Sequence, residues 1–219
     1  MIKSAIFDMD GTVLDSMPMW QRFGADYLSR QGIEAAENLD RVLFPMTAPQ
    51  SAQYFIDEYH LNKTVPQILA EMDAIQFDYY ANRAELKGDI LALLRELKEK
   101  GIKLAIATAT DLKSALAGLD HTGVLDLFEC VVTVFDVGIG KESPAVFLES
   151  AKRLRCAPEE AVVFEDALHA SLTAQGAGFP VVGVYEETNH YFAAELEEAC
   201  DFYLKDYSDR SGLYEFMGL

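Results

Sequence analysis

Hydrophobic and polar positions change their period twice along the chain. Ala5-Ile6-Phe7 is a short apolar run of the kind that forms a parallel strand buried on both faces. From about 16 to 85 no strand pattern is evident. Met17, Trp20, Phe23, Tyr27 and Leu28 recur at helical spacing, and Gly32 can end that helix. Ser51 to Ile56 and Ile68 to Tyr80 continue with helical periodicity, separated by polar and proline-containing breaks. After Lys87-Gly88 strand and helix patterns alternate. Ile90, Leu93, Leu94 and Leu97 mark an amphipathic helix that Gly101 closes. Apolar runs at Ile102–Ala107, Cys130–Thr133, Ala161–Phe164 and Pro180–Val184 predict strands. Helices are predicted between them at Asp111–Gly118, Pro144–Leu154 and about Leu168–Gln175, with Ser143 as the N-cap of the second and Pro144 in its first turn.

Such alternation implies right-handed crossovers and a parallel sheet covered by helices on both faces, an α/β fold. Residues 1–15 and 88–219 are expected to form that domain, with 16–87 inserted directly after the first strand's loop. No internal repeat or low-complexity tract is present. At 219 residues the chain is long enough for one large core or a main domain with a smaller insert.

The balance of 18 basic against 36 acidic residues gives a net charge of −18. That surface repels phosphate backbones and anionic lipid, so neither nucleic acid nor a membrane is an expected partner. An anionic substrate would be repelled too, and a phosphate site must be made favourable locally. Cys130, Cys156 and Cys200 form no Cys-x-x-Cys pair and have no neighbouring His at zinc spacing. They read as free thiols in a reducing compartment. With a first strand at residue 2 or 3 and no stretch of about 18 apolar residues, a cytoplasmic location is expected.

The densest chemical signal is Asp8-Met9-Asp10-Gly11-Thr12-Val13-Leu14-Asp15. Two carboxylates two residues apart stand where the first strand stops, and Gly11-Thr12 permits a tight turn. Ligands of open α/β sheets bind at the carboxyl ends of strands. Two acids there repel each other unless a cation is shared between them. The pattern suits a carboxylate nucleophile beside a carboxylate acid/base, with Mg²⁺ as the neutralising charge. An acidic turn is the plain alternative. A calcium loop is not, because Gly11 comes too early and Met19 stands where the closing Glu belongs.

Other strand ends carry polar residues. Thr108-Ala109-Thr110-Asp111 offers hydroxyls and backbone N–H groups that suit phosphate oxygens, or simply a helix cap. Lys141 lies in the loop Gly138-Ile139-Gly140-Lys141, where a lysine is ordinarily solvated. Glu165-Asp166 follows Ala161–Phe164 and reads either as a charge cluster at a helix N-terminus or as oxygen ligands for Mg²⁺. His169 reads as a helix residue rather than a ligand.

This ordered set resembles the haloacid dehalogenase superfamily, in its phosphatase and phosphomutase branch close to the β-phosphoglucomutases. Asp8 to Ser16 resembles the family's first motif, Thr108 the second, Lys141 the third and Val163-Phe164-Glu165-Asp166 the fourth. The resemblance covers essentially the whole chain. It implies a Rossmann-like, doubly wound core with a helical cap at 16–87. It further implies that Asp8 attacks phosphorus, forming an aspartyl phosphate, and that Asp10 protonates the leaving oxygen and then activates water. Thr108, Ala109 and Lys141 would hold phosphoryl oxygens, together with the backbone at Gly11 and Thr12. Mg²⁺ would be held by Asp8, the carbonyl of Asp10 and Asp166, with Glu165 as an inner or outer ligand. A dehalogenase of the same superfamily lacks an acid/base at the position of Asp10, so phosphate ester chemistry is favoured.

Departures from the pattern bear on substrate. The third motif commonly reads Lys-Pro-x-Pro-Asp, whereas here it is Lys141-Glu142-Ser143-Pro144-Ala145. Glu142 adds a negative charge beside the phosphate site and is expected to weaken phosphate affinity. Where sugar-phosphate mutases carry an Arg for the distal phosphate, this chain has Leu43-Phe44-Pro45-Met46-Thr47-Ala48. Hydrolysis of a small phosphorylated metabolite by a monomer or weak homodimer is therefore the expected function. A β-phosphoglucomutase-like phosphomutase and a non-catalytic phosphate-binding protein are the alternatives. Phe44, Met46 and Trp20 offer a partly apolar substrate face, with core packing as their default role.

Overall fold

The unbroken apolar runs become the strands of a single parallel sheet. The computed structural model describes residues 1–43 and 46–219; Phe44, offered above as part of an apolar face, and Pro45 beside it lie outside the described residues. By chain packing the protein divides into one unit of residues 1–16 and 80–219 and another of residues 17–79.

In the larger unit, β1 (Ser4–Phe7) is buried at every position. The helical segment follows it in sequence, with α1 (Met17–Arg30), α2 (Leu39–Leu43), α3 (Ala48–Tyr59) and α4 (Val65–Asn82). The division between units falls inside α4, after Tyr79. Next come α5 (Ile90–Glu99), β2 (Lys103–Thr108), α6 (Leu112–His121), β3 (Cys130–Thr133), α7 (Val134–Val137) and α8 (Ala145–Leu154). The chain closes with β4 (Ala161–Glu165), α9 (Leu168–Gly176), β5 (Val181–Val184), α10 (Ala193–Ala199), β6 (Phe202–Leu204) and α11 (Ser211–Met217).

The sheet order is β3-β2-β1-β4-β5-β6, and every pairing is parallel. The chain moves outward from β1 to one side, then returns to fill the other. This is a doubly wound α/β sheet whose switch point lies between β1 and β4. Successive side chains on a strand face opposite sides. Ile6 and Val163 pack with Phe147, Ala170 and Val181 on one side. Phe7 and Phe164, register partners, stack at 4.3 Å. Helix α5 buries Ile90, Leu93, Leu94 and Leu97, the stripe its periodicity predicts.

In the smaller unit, Phe23, Tyr27, Leu28, Ala52, Phe55 and Ile68 form a separate core. Trp20 packs against it, its ring 5.2 Å from that of Phe23. Core packing accounts for Trp20, and Met46 is half-buried. Among the described residues, no helix is long and apolar enough to cross a membrane.

One cap differs from expectation. Pro144, not Ser143, stands at the N-cap of α8. Proline has no N–H to be satisfied, and the Ser143 hydroxyl accepts only a long bond, 3.4 Å, from the Ala145 amide.

Candidate active site

Because Phe7 and Phe164 are level across the β1–β4 pair, the residues that follow them emerge together at the switch point. The Asp8 amide donates to the Phe164 carbonyl at 2.9 Å, so Asp8 continues the ladder for one more rung. Glu165 ends β4 and Asp166 follows it. Oxygens of Asp8, Glu165 and Asp166 lie within 4.8 Å of one another, and all three residues are buried. Beyond Asp8 the chain turns back at Gly11, whose φ of 87° is open to glycine at little cost. The Met9 carbonyl accepts from the Val13 and Leu14 amides at 2.9 and 2.8 Å, closing the turn.

Lys141 is buried, not solvated. Its ammonium donates to Asp8 Oδ1 and, at 2.7 Å, to Glu165 Oε2. Burial alone would lower its pKa, but the charges of Asp8 and Glu165 outweigh that and hold it above the usual lysine range. Glu142 beside it is exposed, and its carboxylate folds back on Gly140. A Cβ at Gly140 would stand 2.3 Å from Glu142 Oε2.

One ammonium does not balance this much acid. Burial pushes the Asp8 carboxyl well above the ordinary aspartate range; Lys141 opposes the shift, while Glu165, Asp166 and Asp10 reinforce it. Burial and Glu165 raise Asp166 to about 7, against the pull of Lys87 and Lys141. Asp8 Oδ2 is buried and has no hydrogen-bond partner. An orphaned carboxylate oxygen facing two more buried acids is the donor set of a hard divalent cation that takes oxygen ligands. The residues therefore fit a divalent metal ion.

The other expected residues lie around this cluster. Thr108 ends β2, fully buried, and its hydroxyl accepts from the Thr110 amide at 3.0 Å. Ala109 is exposed. The Thr12 hydroxyl turns toward Asp166 Oδ1 at 3.5 Å, and the Gly11 carbonyl accepts from Lys87. Asp10 is half-buried, with hydroxyl donors on both its oxygens.

Residues 5–184 match the family model of the haloacid dehalogenase-like hydrolases. The chain belongs to this family. Hexitol phosphatase A of Escherichia coli is 32% identical over 187 residues, covering 83% of this chain and 82% of that one. Validoxylamine A 7'-phosphate phosphatase of Streptomyces hygroscopicus subsp. limoneus is 28% identical over 214 residues, covering 95% and 96%. Among solved structures, CbbY from Rhodobacter sphaeroides in complex with phosphate superposes with a TM-score of 0.80 at 23% identity and covers both chains fully.

Several contributors to this haloacid dehalogenase-like site are not apparent in the sequence pattern. Asn189 donates to Asp166 Oδ2 at 2.7 Å, leaving that carboxylate one oxygen turned toward Thr12. Lys87 ties the Gly11 carbonyl to the Tyr185 carbonyl and to Glu186, fastening the loop after β1 to the end of β5. Tyr80, Ser16 and Thr110 surround Asp10. Ser16 alone lies within the first motif. Thr110 stands in the polar strand end Thr108-Ala109-Thr110-Asp111, where nothing marks it as a partner of Asp10, and Asn189, Lys87 and Tyr80 are single polar residues whose neighbours in sequence carry no sign of the site.

Proposed function

We propose that the chain is a Mg²⁺-dependent phosphatase of small phosphorylated metabolites that works through an aspartyl phosphate on Asp8. The observation that carries this reading is Asp8 itself. It is a buried carboxylate at the switch point, one oxygen gripped by Lys141 and the other without a partner, beside Glu165 and Asp166.

A carboxylate oxygen of Asp8 forms the new bond to phosphorus as the bond from phosphorus to the ester oxygen breaks. Asp10 gives its proton to that ester oxygen, and the alcohol leaves. Asp10, now a carboxylate, takes a proton from water; the water oxygen bonds to phosphorus and the Asp8–phosphorus bond breaks, restoring the nucleophile and releasing phosphate. Lys141 and the Thr108 hydroxyl hold phosphoryl oxygens, with backbone amides at Thr12 and Ala109; the Gly11 amide is spent within the turn, donating to the Leu14 carbonyl at 2.9 Å. Mg²⁺ would be held by Asp8, Asp166, the Asp10 carbonyl and Glu165, and supplies the positive charge that phosphoryl transfer needs. The activities of the hexitol and validoxylamine phosphate relatives support sugar and sugar-alcohol phosphates as the first substrates to try.

The test is phosphate release from a panel of sugar, sugar-alcohol and nucleotide monophosphates, with and without Mg²⁺. We expect Mg²⁺-dependent release that falls by about 10⁴-fold or more in Asp8→Asn. A near-normal rate in that variant would remove the nucleophile assignment. Interconversion of glucose phosphates with no net release would replace hydrolysis by the mutase reaction.

A further inference from the structure

Three hydroxyls from distant parts of the chain converge on one carboxylate. Ser16 Oγ donates to Asp10 Oδ1 at 2.6 Å, Thr110 Oγ1 donates to Asp10 Oδ2 at 2.7 Å, and Tyr80 Oη donates to Asp10 Oδ1. The Tyr80 and Thr110 oxygens are themselves 3.4 Å apart, with either able to donate. Tyr80 and Ser16 are fully buried and Thr110 is 5% exposed. Tyr80 reaches the site from the end of α4, and its ring lies close against α6. A Cβ at Gly118 would be 2.9 Å from Tyr80 Cδ1 and 3.2 Å from Leu14 Cδ1.

A phenylalanine would fill that apolar slot as well. The phenol is the part that packing does not require, and a buried O–H needs a partner. Its partner here is the residue proposed to carry the proton. We propose that Tyr80, with Thr110, is a positioning residue that holds Asp10 in one pose through both halves of the reaction.

Hydroxyls suit this task in a way that lysine or arginine does not. They donate to a carboxylate and accept from a carboxylic acid, so the same partners serve both forms of Asp10. A fixed ammonium would serve only the anion. Holding a general acid within reach of the leaving oxygen is an orientation effect, felt where proton transfer is needed in the transition state.

This inference rests on the reading of Asp10 as the acid/base, and leaving-group dependence separates the two. A good leaving group such as 4-nitrophenolate departs without a proton, whereas phenolate gains from one. Values of kcat/KM for 4-nitrophenyl phosphate and phenyl phosphate, with Mg²⁺, are to be compared in wild type, Asp10→Asn, Tyr80→Phe and Thr110→Val. We expect Tyr80→Phe and Thr110→Val each to lose about tenfold more on phenyl phosphate than on 4-nitrophenyl phosphate, mainly in kcat, with Asp10→Asn losing more in the same direction. Equal losses on both substrates in Tyr80→Phe and Thr110→Val, beside a selective loss in Asp10→Asn, would reduce Tyr80 to packing and leave the acid/base reading intact. Equal losses in Asp10→Asn would overturn that reading and this inference with it.

Discussion

Lys141 is the residue on which the charge balance of the site turns. It is buried between Asp8 and Glu165, and without it two buried carboxylates lose their paired cation. Removing one partner of a buried pair costs about 3–5 kcal/mol, because the remaining charge stays desolvated. Lys141→Met should therefore lower the melting temperature sharply in chelator. Mg²⁺ should then restore more of it than it adds to wild type, since a bound cation stabilises the folded state by mass action. Thermal melts of both proteins in EDTA and in Mg²⁺ check this, and equal melting temperatures in EDTA would show that Lys141 is not holding the cluster. The same residue marks how far the sequence could be read. Asp8, Asp10, Glu165 and Asp166 declare themselves, because each closely follows an apolar strand. A lone lysine in a glycine-containing loop carries no such mark, and only the resemblance to the family singles it out. Tyr80 and Thr110 were illegible for another reason: an aromatic at helical spacing and a threonine before a helix both have ordinary explanations.

Among the elements, strands were more legible than their surroundings. Among the described residues five of six strands show as apolar runs: the four central ones because a central parallel strand must bury both faces, and the edge strand β3 through Cys130-Val131-Val132. Strand β6, three residues at the sheet edge with Phe202 and Tyr203 only half-buried, lacks that signal. Helix α7 depends on a local capping box, in which the Thr133 hydroxyl accepts from the Asp136 amide and the Asp136 carboxylate accepts from the Thr133 amide. That pairing leaves little trace in periodicity. The helical segment is tied by a polar cluster as well as by its apolar faces. Glu71 on α4 accepts from Tyr27 on α1 at 2.9 Å and from Lys63 at 2.6 and 2.7 Å, and Lys63 also reaches Gln31. The bond from Lys63 holds the Glu71 carboxyl below the usual glutamate range, against a smaller opposing effect of burial. A carboxyl whose pKa is depressed on folding stabilises above its unfolded pKa and loses that contribution as pH falls through the folded value. Glu71→Gln should lower the melting temperature by about 1–3 °C at pH 7, a modest effect because the pair is partly solvated. The gap should narrow progressively as pH falls below the ordinary glutamate pKa. Melts of both proteins across that range decide it, and a gap independent of pH would assign the effect to shape rather than charge.

For the whole molecule the dominant quantity is its net charge of −18. Its field has opposite consequences for the two species the proposed reaction needs. It draws Mg²⁺ toward a site that already gathers Asp8, Glu165 and Asp166, and it repels a phosphate ester approaching the same place. The contacts made at the site differ from this field in range. Lys141 touches Asp8 and Glu165 in a buried setting where salt screens little, whereas charges spread over the surface act through water and are screened within about 10 Å at 0.1 M salt. Added monovalent salt should thus leave the buried pairs intact and remove only the long-range part. Raising KCl from roughly 20 to 300 mM should weaken the activating affinity for Mg²⁺ by about three- to tenfold, as the attraction is screened. At saturating Mg²⁺ the same change should raise kcat/KM for a sugar phosphate by about two- to threefold, as the repulsion is screened, while kcat stays nearly constant. Titrations of activity against Mg²⁺ and against substrate at the two salt concentrations separate these effects. Movement in opposite directions is the signature of a negative field acting on a cation and an anion that meet at one site. A fall in both, or a change confined to kcat, would mean that salt acts on the site itself, and that its buried charges are more open to solvent than their packing at the ends of β1 and β4 implies.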